Sequence, residues 1–154
     1  MPSTFPHSPA DVIRHLLVAK GCGTLPSDGG DWPIYVASEP DGPDNCVTVY
    51  DTQGQDDGRS MHTGELWNHN GFQVRVRARD HSSAGWPKAD EIQTVMAEEV
   101  YQDYVTIGDE TYFVHAVTRI GDPIPLGKET PSSKRNLYTI NATFAGYHVE
   151  YGTA

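Results

Sequence analysis

Basic residues are scarce in this chain beside its acidic ones. Its 154 residues carry 11 Lys plus Arg against 21 Asp plus Glu, a formal charge of -10 with a pI near 4.9. A protein that grips nucleic acid along its phosphates needs a basic surface, so that class is disfavoured. Cysteine is scarce as well: Cys22 and Cys46 lie in unrelated segments, with no spacing that fits zinc or a disulfide framework. No apolar run approaches the ~20 residues of a membrane span. The opening Met1-Pro2-Ser3-Thr4 has neither the basic nor the apolar stretch of a signal peptide. These absences give the expectation of one soluble domain from a reducing cytoplasm, with no membrane partner. Hydrophobic residues at 37% promise a lean core, and 15 Gly with 11 Pro promise much loop.

The charges are segregated. Between Lys20 and Arg59 there is no base, but Asp28, Asp31, Glu39, Asp41, Asp44, Asp51, Asp56 and Asp57 occur. Between Lys88 and Arg119 there is again no base, with Asp90, Glu91, Glu98, Glu99, Asp103, Asp109 and Glu110. Such a pattern is either a solvated acidic face or the mark of a chain with one acidic and one basic side, which meets copies of itself head to tail.

Local signals predict an α+β domain in the order α-β-β-β-α-β-β, a mainly antiparallel sheet with two helices packed on one face. Ser8 as cap, Pro9 at the first position and apolar Val12, Ile13, Leu16 and Leu17 predict a helix that stops at Gly21. Short strands follow at 32–37 and 46–51, joined by a Pro- and Gly-rich turn. Residues 52–70 are polar and aperiodic and read as a long exposed loop. In 72–79, Phe72, Val74, Val76 and Ala78 alternate with Gln73, Arg75, Arg77 and Arg79, so one face is core and the other a stripe of guanidiniums. Ala89, Ile92, Val95, Met96 and Val100 give a second helix over about 85–100. Strands are predicted at 110–119 and 137–146. Between them, Pro123 and Pro125 make 120–135 an extended arm or edge hairpin, and 147–154 reads as a loosely held tail.

Candidate chemistry is thin. His62, Glu65 and His69 carry donors that suit zinc, but their spacing fits no helical or hairpin ligand pair, so solvated loop residues are the better reading. A small metal-dependent hydrolase built on them is the remote enzymatic alternative. His115 lies mid-strand, no serine occupies a tight strand-to-helix elbow, and Gly21-Cys22-Gly23 follows a helix where a phosphate cradle would precede one. No catalytic residue, metal or cofactor is assigned. Three guanidiniums side by side repel, so Arg75, Arg77 and Arg79 need carboxylate partners, from the second helix or from the acidic 21–58 region of a neighbouring copy.

Three segments resemble the tail terminator proteins of long-tailed bacteriophages, also labelled minor capsid or tail completion proteins. They are Val47-Thr48-Val49-Tyr50-Asp51-Thr52-Gln53-Gly54, Phe72 to Asp80 with the helix behind it, and Arg119-Ile120-Gly121-Asp122-Pro123-Ile124-Pro125-Leu126-Gly127-Lys128 with the closing strand. The segment 56–70 departs from that pattern. The resemblance implies a structural virion protein without catalysis, a ring of six copies at the head-proximal end of the tail tube. Its partners would be further copies of itself, the major tail tube protein and a head-completion or stopper protein, with DNA only passing through the lumen. A stopper or adaptor of the neck is the nearest alternative. On this reading Arg75, Arg77, Arg79 and Arg119 with Asp51, Asp56 and Asp57 are expected at the subunit interface. Asp122, Pro123, Ile124, Pro125, Leu126, Lys128, Glu65 and Trp67 are expected to dock the tube or the head-side protein.

Overall fold

The computed structural model describes residues 6–59, 66–130 and 134–149, with backbone only for 54–59 and 66–68. Helix α1 spans Pro9–Ala19. The Ser8 hydroxyl accepts from the Asp11 N–H at 3.3 Å, Pro9 occupies the first turn, and Asp11 lies where the helix dipole favours an anion. Its Ala10, Val12, Ile13, Leu16 and Leu17 are buried. A second helix, α2, spans Trp86–Glu98 and buries Ala89, Ile92 and Met96. One π-helical turn, His81–Gly85, leads into it, with the Asp80 carboxylate accepting from the Ser83 N–H at 2.9 Å.

Seven strands form one mostly antiparallel sheet: β1 Ile34–Val36, β2 Cys46–Arg59, β3 Leu66–Ala78, β4 Tyr101–Ile107, β5 Glu110–Arg119, β6 Ile124–Lys128 and β7 Asn136–Val149. The spatial order is β1-β2-β3-β7-β5-β4, and only β1 and β2 run parallel. One edge of β7 pairs with β3. Its other edge is shared: β5 takes the stretch from Val149 to Ala142, and β6 takes Thr139 to Asn136. The Ile120 N–H donates to the Asn141 carbonyl at 2.7 Å where one strand gives way to the other. Phe72, Val74 and Val76 of β3, Ile140, Ala142 and Phe144 of β7, and buried residues of both helices form one hydrophobic cluster. Burying each large aliphatic or aromatic side chain in it contributes about 1.5–3 kcal/mol.

The predicted order is corrected in two places, and the predicted loop and tail change character. Residues 52–70 are largely strand: β2 runs on to Arg59, β3 begins at Leu66, and Gln55 to Arg59 pair only with β3. The sequence of this two-stranded ribbon is polar over 52–59 and carries no apolar alternation. Its register also shifts between Thr52 and Gln55 and between Asp56 and Gly58. β4 was not predicted: it is an edge strand with Val105 as its one buried residue, and Gln102 has φ +51°. β6 realises the edge alternative for the 120–135 arm. Tyr147, His148 and Val149 of the predicted tail pair with Phe113, Tyr112 and Thr111.

Two outcomes are expected from this packing. A Cβ on Gly85 would stand 2.5 Å from the Tyr138 ring, so Gly85→Ala should cost on the order of 1–3 kcal/mol in urea unfolding. Cys22 and Cys46 are buried, and burial pushes both thiols up to about 11 from 9.0. Thiol titration of the native protein at pH 8 should therefore read almost nothing, and two thiols after unfolding. Because the folded values are raised, the two groups stabilise the fold fully below pH 9, and that contribution is lost as pH rises through about 11.

Candidate assembly surface

The face of β3 that turns away from the cluster carries Gln73, Arg75 and Arg77, and each has a different neighbour. Arg77 is enclosed, with its side chain 1% exposed. Its Nη2 donates to the Pro43 carbonyl at 2.7 Å, and Nη1 stands 3.9 Å from Glu39 Oε1 and 3.7 Å from Glu129 Oε1. Glu129 is also held by Arg135, at 2.6 and 2.8 Å, and Arg135 lies 3.8 Å from Asp44 and donates to the Asp41 carbonyl. Arg79 is more exposed and reaches Asp44 at 3.5 Å. The turn between β1 and β2 and the arm between β6 and β7 thus close over the end of β3 as one ionic cluster. Burial stays tolerable because two carboxylates and a carbonyl face the guanidinium.

Arg75 differs. Its guanidinium carbon lies 5.3 Å from the centre of the Tyr50 ring, a cation–π contact, and its buried Nε has no hydrogen-bond partner. Burial, with the Glu39 charge adding and Arg75 opposing, raises the Tyr50 hydroxyl above its ordinary value. Next to it, Gln73 donates to Asn141 at 3.0 Å.

The carboxylates that answer the arginine stripe come from the chain's own 39–44 turn and from Glu129. Helix α2 supplies Gln93, which accepts from Arg119, while Arg119 also pairs with Asp122 at 3.2 Å. Asp51 lies against α1: its carboxylate accepts from the Ala10 N–H at 2.8 Å, satisfying one of the open donors of the helix start. Asp56 and Asp57 lie on the ribbon part of β2 and Trp67 on the facing part of β3. His62 and Glu65 lie outside the described residues, and His69 is on β3. Among the described residues no group of three His, Cys, Asp or Glu is placed to hold a metal ion. Pro123 is buried, while Ile124, Pro125, Leu126 and Lys128 are exposed on β6.

Sequence reading set Glu39 and Asp44, in the acidic 21–58 region, against the stripe of a neighbouring copy, and it missed Glu129 and Arg135, which no periodicity links to β3. It also missed an aromatic row. Tyr104, Phe113 and Tyr147 stand opposite one another across β4, β5 and β7, with ring centres 5.2 and 5.1 Å apart. Alternation around Tyr112 and Val114 hides it, because both faces of β5 carry aromatic residues.

The shallow depressions beside Trp32 and Ser83 gather Asp31, Asp44, Asp80 and Glu91 with Arg79 and Lys88, and hydrogen bonds from Ser83 hold the Asp80 carboxyl below its ordinary value. The arginine set lies on a broad sheet face, and the aromatic row runs to the edge strand β4. A family model described as bacteriophage tail terminator protein matches residues 16–147, and the chain belongs to that family. No curated protein matches the sequence.

Removing Arg77 takes away the guanidinium beside the partly buried Glu39 and leaves Glu129 to Arg135. Arg77→Ala should therefore cost about 3–5 kcal/mol in urea unfolding. The exposed Arg79→Ala should change it by less than about 1 kcal/mol.

Proposed function

We propose that the protein is a structural, non-catalytic component of the virion at the junction of tail and head. Six copies close into a ring on the head-proximal end of the tail tube, stop its growth and offer the surface that receives the head-completion protein. The family match over residues 16–147 carries this reading. The chemistry of the surface supports it. A closed ring of one chain type needs two different complementary patches per copy, and this chain holds its exposed aromatic and aliphatic groups on separate strands. The formal charge of -10 per copy suits a lumen through which DNA slides without adhering.

Within the arginine set expected at the interface, Arg77 serves its own chain. Arg75 and the exposed Arg79 and Arg119 are the members able to face a carboxylate of an adjacent copy. The β2–β3 ribbon, with Asp56, Asp57 and Trp67, is the element we assign to the tube.

The test is elongation of purified tail tube protein in the presence of this protein. Added at a few copies per tube end, it should hold tube length down, and the bound mass should correspond to six copies per end. Tubes that grow to the same length with and without it would remove the proposal. Arg75→Glu should keep the fold and weaken ring closure, whereas Arg77→Glu should fail at folding.

A further inference from the structure

Among the described residues, exposed apolar side chains fall into two main groups. Tyr101, Tyr104 and Tyr147 flank Phe113 and His115 on β4, β5 and β7, and Tyr101 leans on the His115 ring at 5.6 Å. Ile120, Ile124 and Leu126 line the turn into β6 and β6 itself. Each of these three tyrosines and three aliphatics exposes roughly half of its surface or more. Single exposed apolar residues need no explanation, but rings in register across three strands form a continuous surface.

The two groups cannot cover each other within one chain. β6 pairs with β7 at Tyr138, while Tyr147 stands nine residues further along the same strand. At about 3.3 Å per residue that places them roughly 30 Å apart on a shared, hydrogen-bonded strand. The charges around them are complementary. Glu98 and Glu99 precede Tyr101 and Asp109 follows β4, all exposed and without an ion pair among the described residues. Lys128 and Lys134 on the arm are exposed and equally without one. Pro125 has no N–H to donate, so the arm is poorly suited to extend another sheet as a regular strand and presents its side chains instead.

We propose that the Tyr104–Phe113–Tyr147 face of one copy seats the Ile124–Leu126 arm of the next, with Lys128 and Lys134 meeting the acids that bracket β4. The contact is head to tail, between two different patches, and each copy keeps one of each free until a ring closes. The partner is a second copy of this chain, so the inference rests on the ring reading and gives that ring its contact.

The experiment uses full-length chains carrying Tyr104→Cys or Leu126→Cys, mixed in equal amounts and oxidised; the native thiols are buried and do not compete. Disulfides between the two variants should form several-fold more than either homodimer, and several-fold more than with Thr94→Cys, an exposed control on α2. Predominant Tyr104→Cys homodimers would mean that like faces meet, and cross-linking no better than the control would mean no contact; either overturns the proposal. A second pair keeps the result independent of thiol chemistry. Tyr104→Ser with Tyr147→Ser, and Ile124→Ser with Leu126→Ser, should each sediment as monomers under conditions where either mixture of the two gives a heterodimer. Failure of the doubly substituted chains to pair on mixing, with the wild type assembling, also overturns it. A protein that stops tail tubes but does not cross-link sinks this contact alone. One that cross-links but leaves the tubes growing sinks the tail-end reading instead.

Discussion

The fold depends on the way β7 divides its hydrogen bonds. Along one edge it holds β3, and through it β2 and β1; along the other it holds β5 and then β6, so the sheet is assembled about this single strand. The side-chain period of a strand is two, so a slip of one residue would turn Ile140, Ala142 and Phe144 out of the core and bring Asn141 and Thr143 in. The cluster shared with both helices rules that out. Fixing β7 therefore fixes where every other strand ends, including the point near Ile120 where β5 gives way to β6.

What covers the end of β3 follows from the same register. Because Arg77 stands opposite Leu137 of β7 and Cys46 of β2, its guanidinium projects where the 39–44 turn and the Glu129–Arg135 arm converge. The sequence pattern alone announces a stripe of guanidiniums in need of carboxylate partners, without saying which chain supplies them. In three dimensions the middle of that stripe is enclosed and neutralised by its own chain, and only its flanks keep an outward charge.

Elements with one buried face were legible in the sequence. The Ser8-Pro9 start of α1, the alternation of β3 and the Ala89–Ile92–Met96 stripe of α2 all write their burial into residue spacing. The ribbon of β2 and β3 was not legible because its sequence is polar over 52–59 and has no apolar alternation, and β4 was not because Val105 is its one fully buried residue, with Ile107 only partly covered. The site followed the same division. Arg75, Arg77 and Arg79 were legible as a face, but Glu39 and Glu129 reach Arg77 from distant positions that no local period connects. The aromatic row was hidden because its three members come from three strands, one of them the unrecognised β4.

The internal pairing of the bases has a kinetic consequence. Arg14, Lys20, Arg77, Arg79, Lys88, Arg119 and Arg135 all face carboxylates of the same chain. A chain of formal charge -10 thus spends most of its positive charge at short range, and the field it projects outward is acidic. Two copies approaching in solution repel once they come within a Debye length, about 8 Å at physiological ionic strength. Added salt shortens that range and speeds their encounter, while apolar contacts, once made, are largely indifferent to it. For the ring proposed above, collision between copies is then a step that quickens as ionic strength rises.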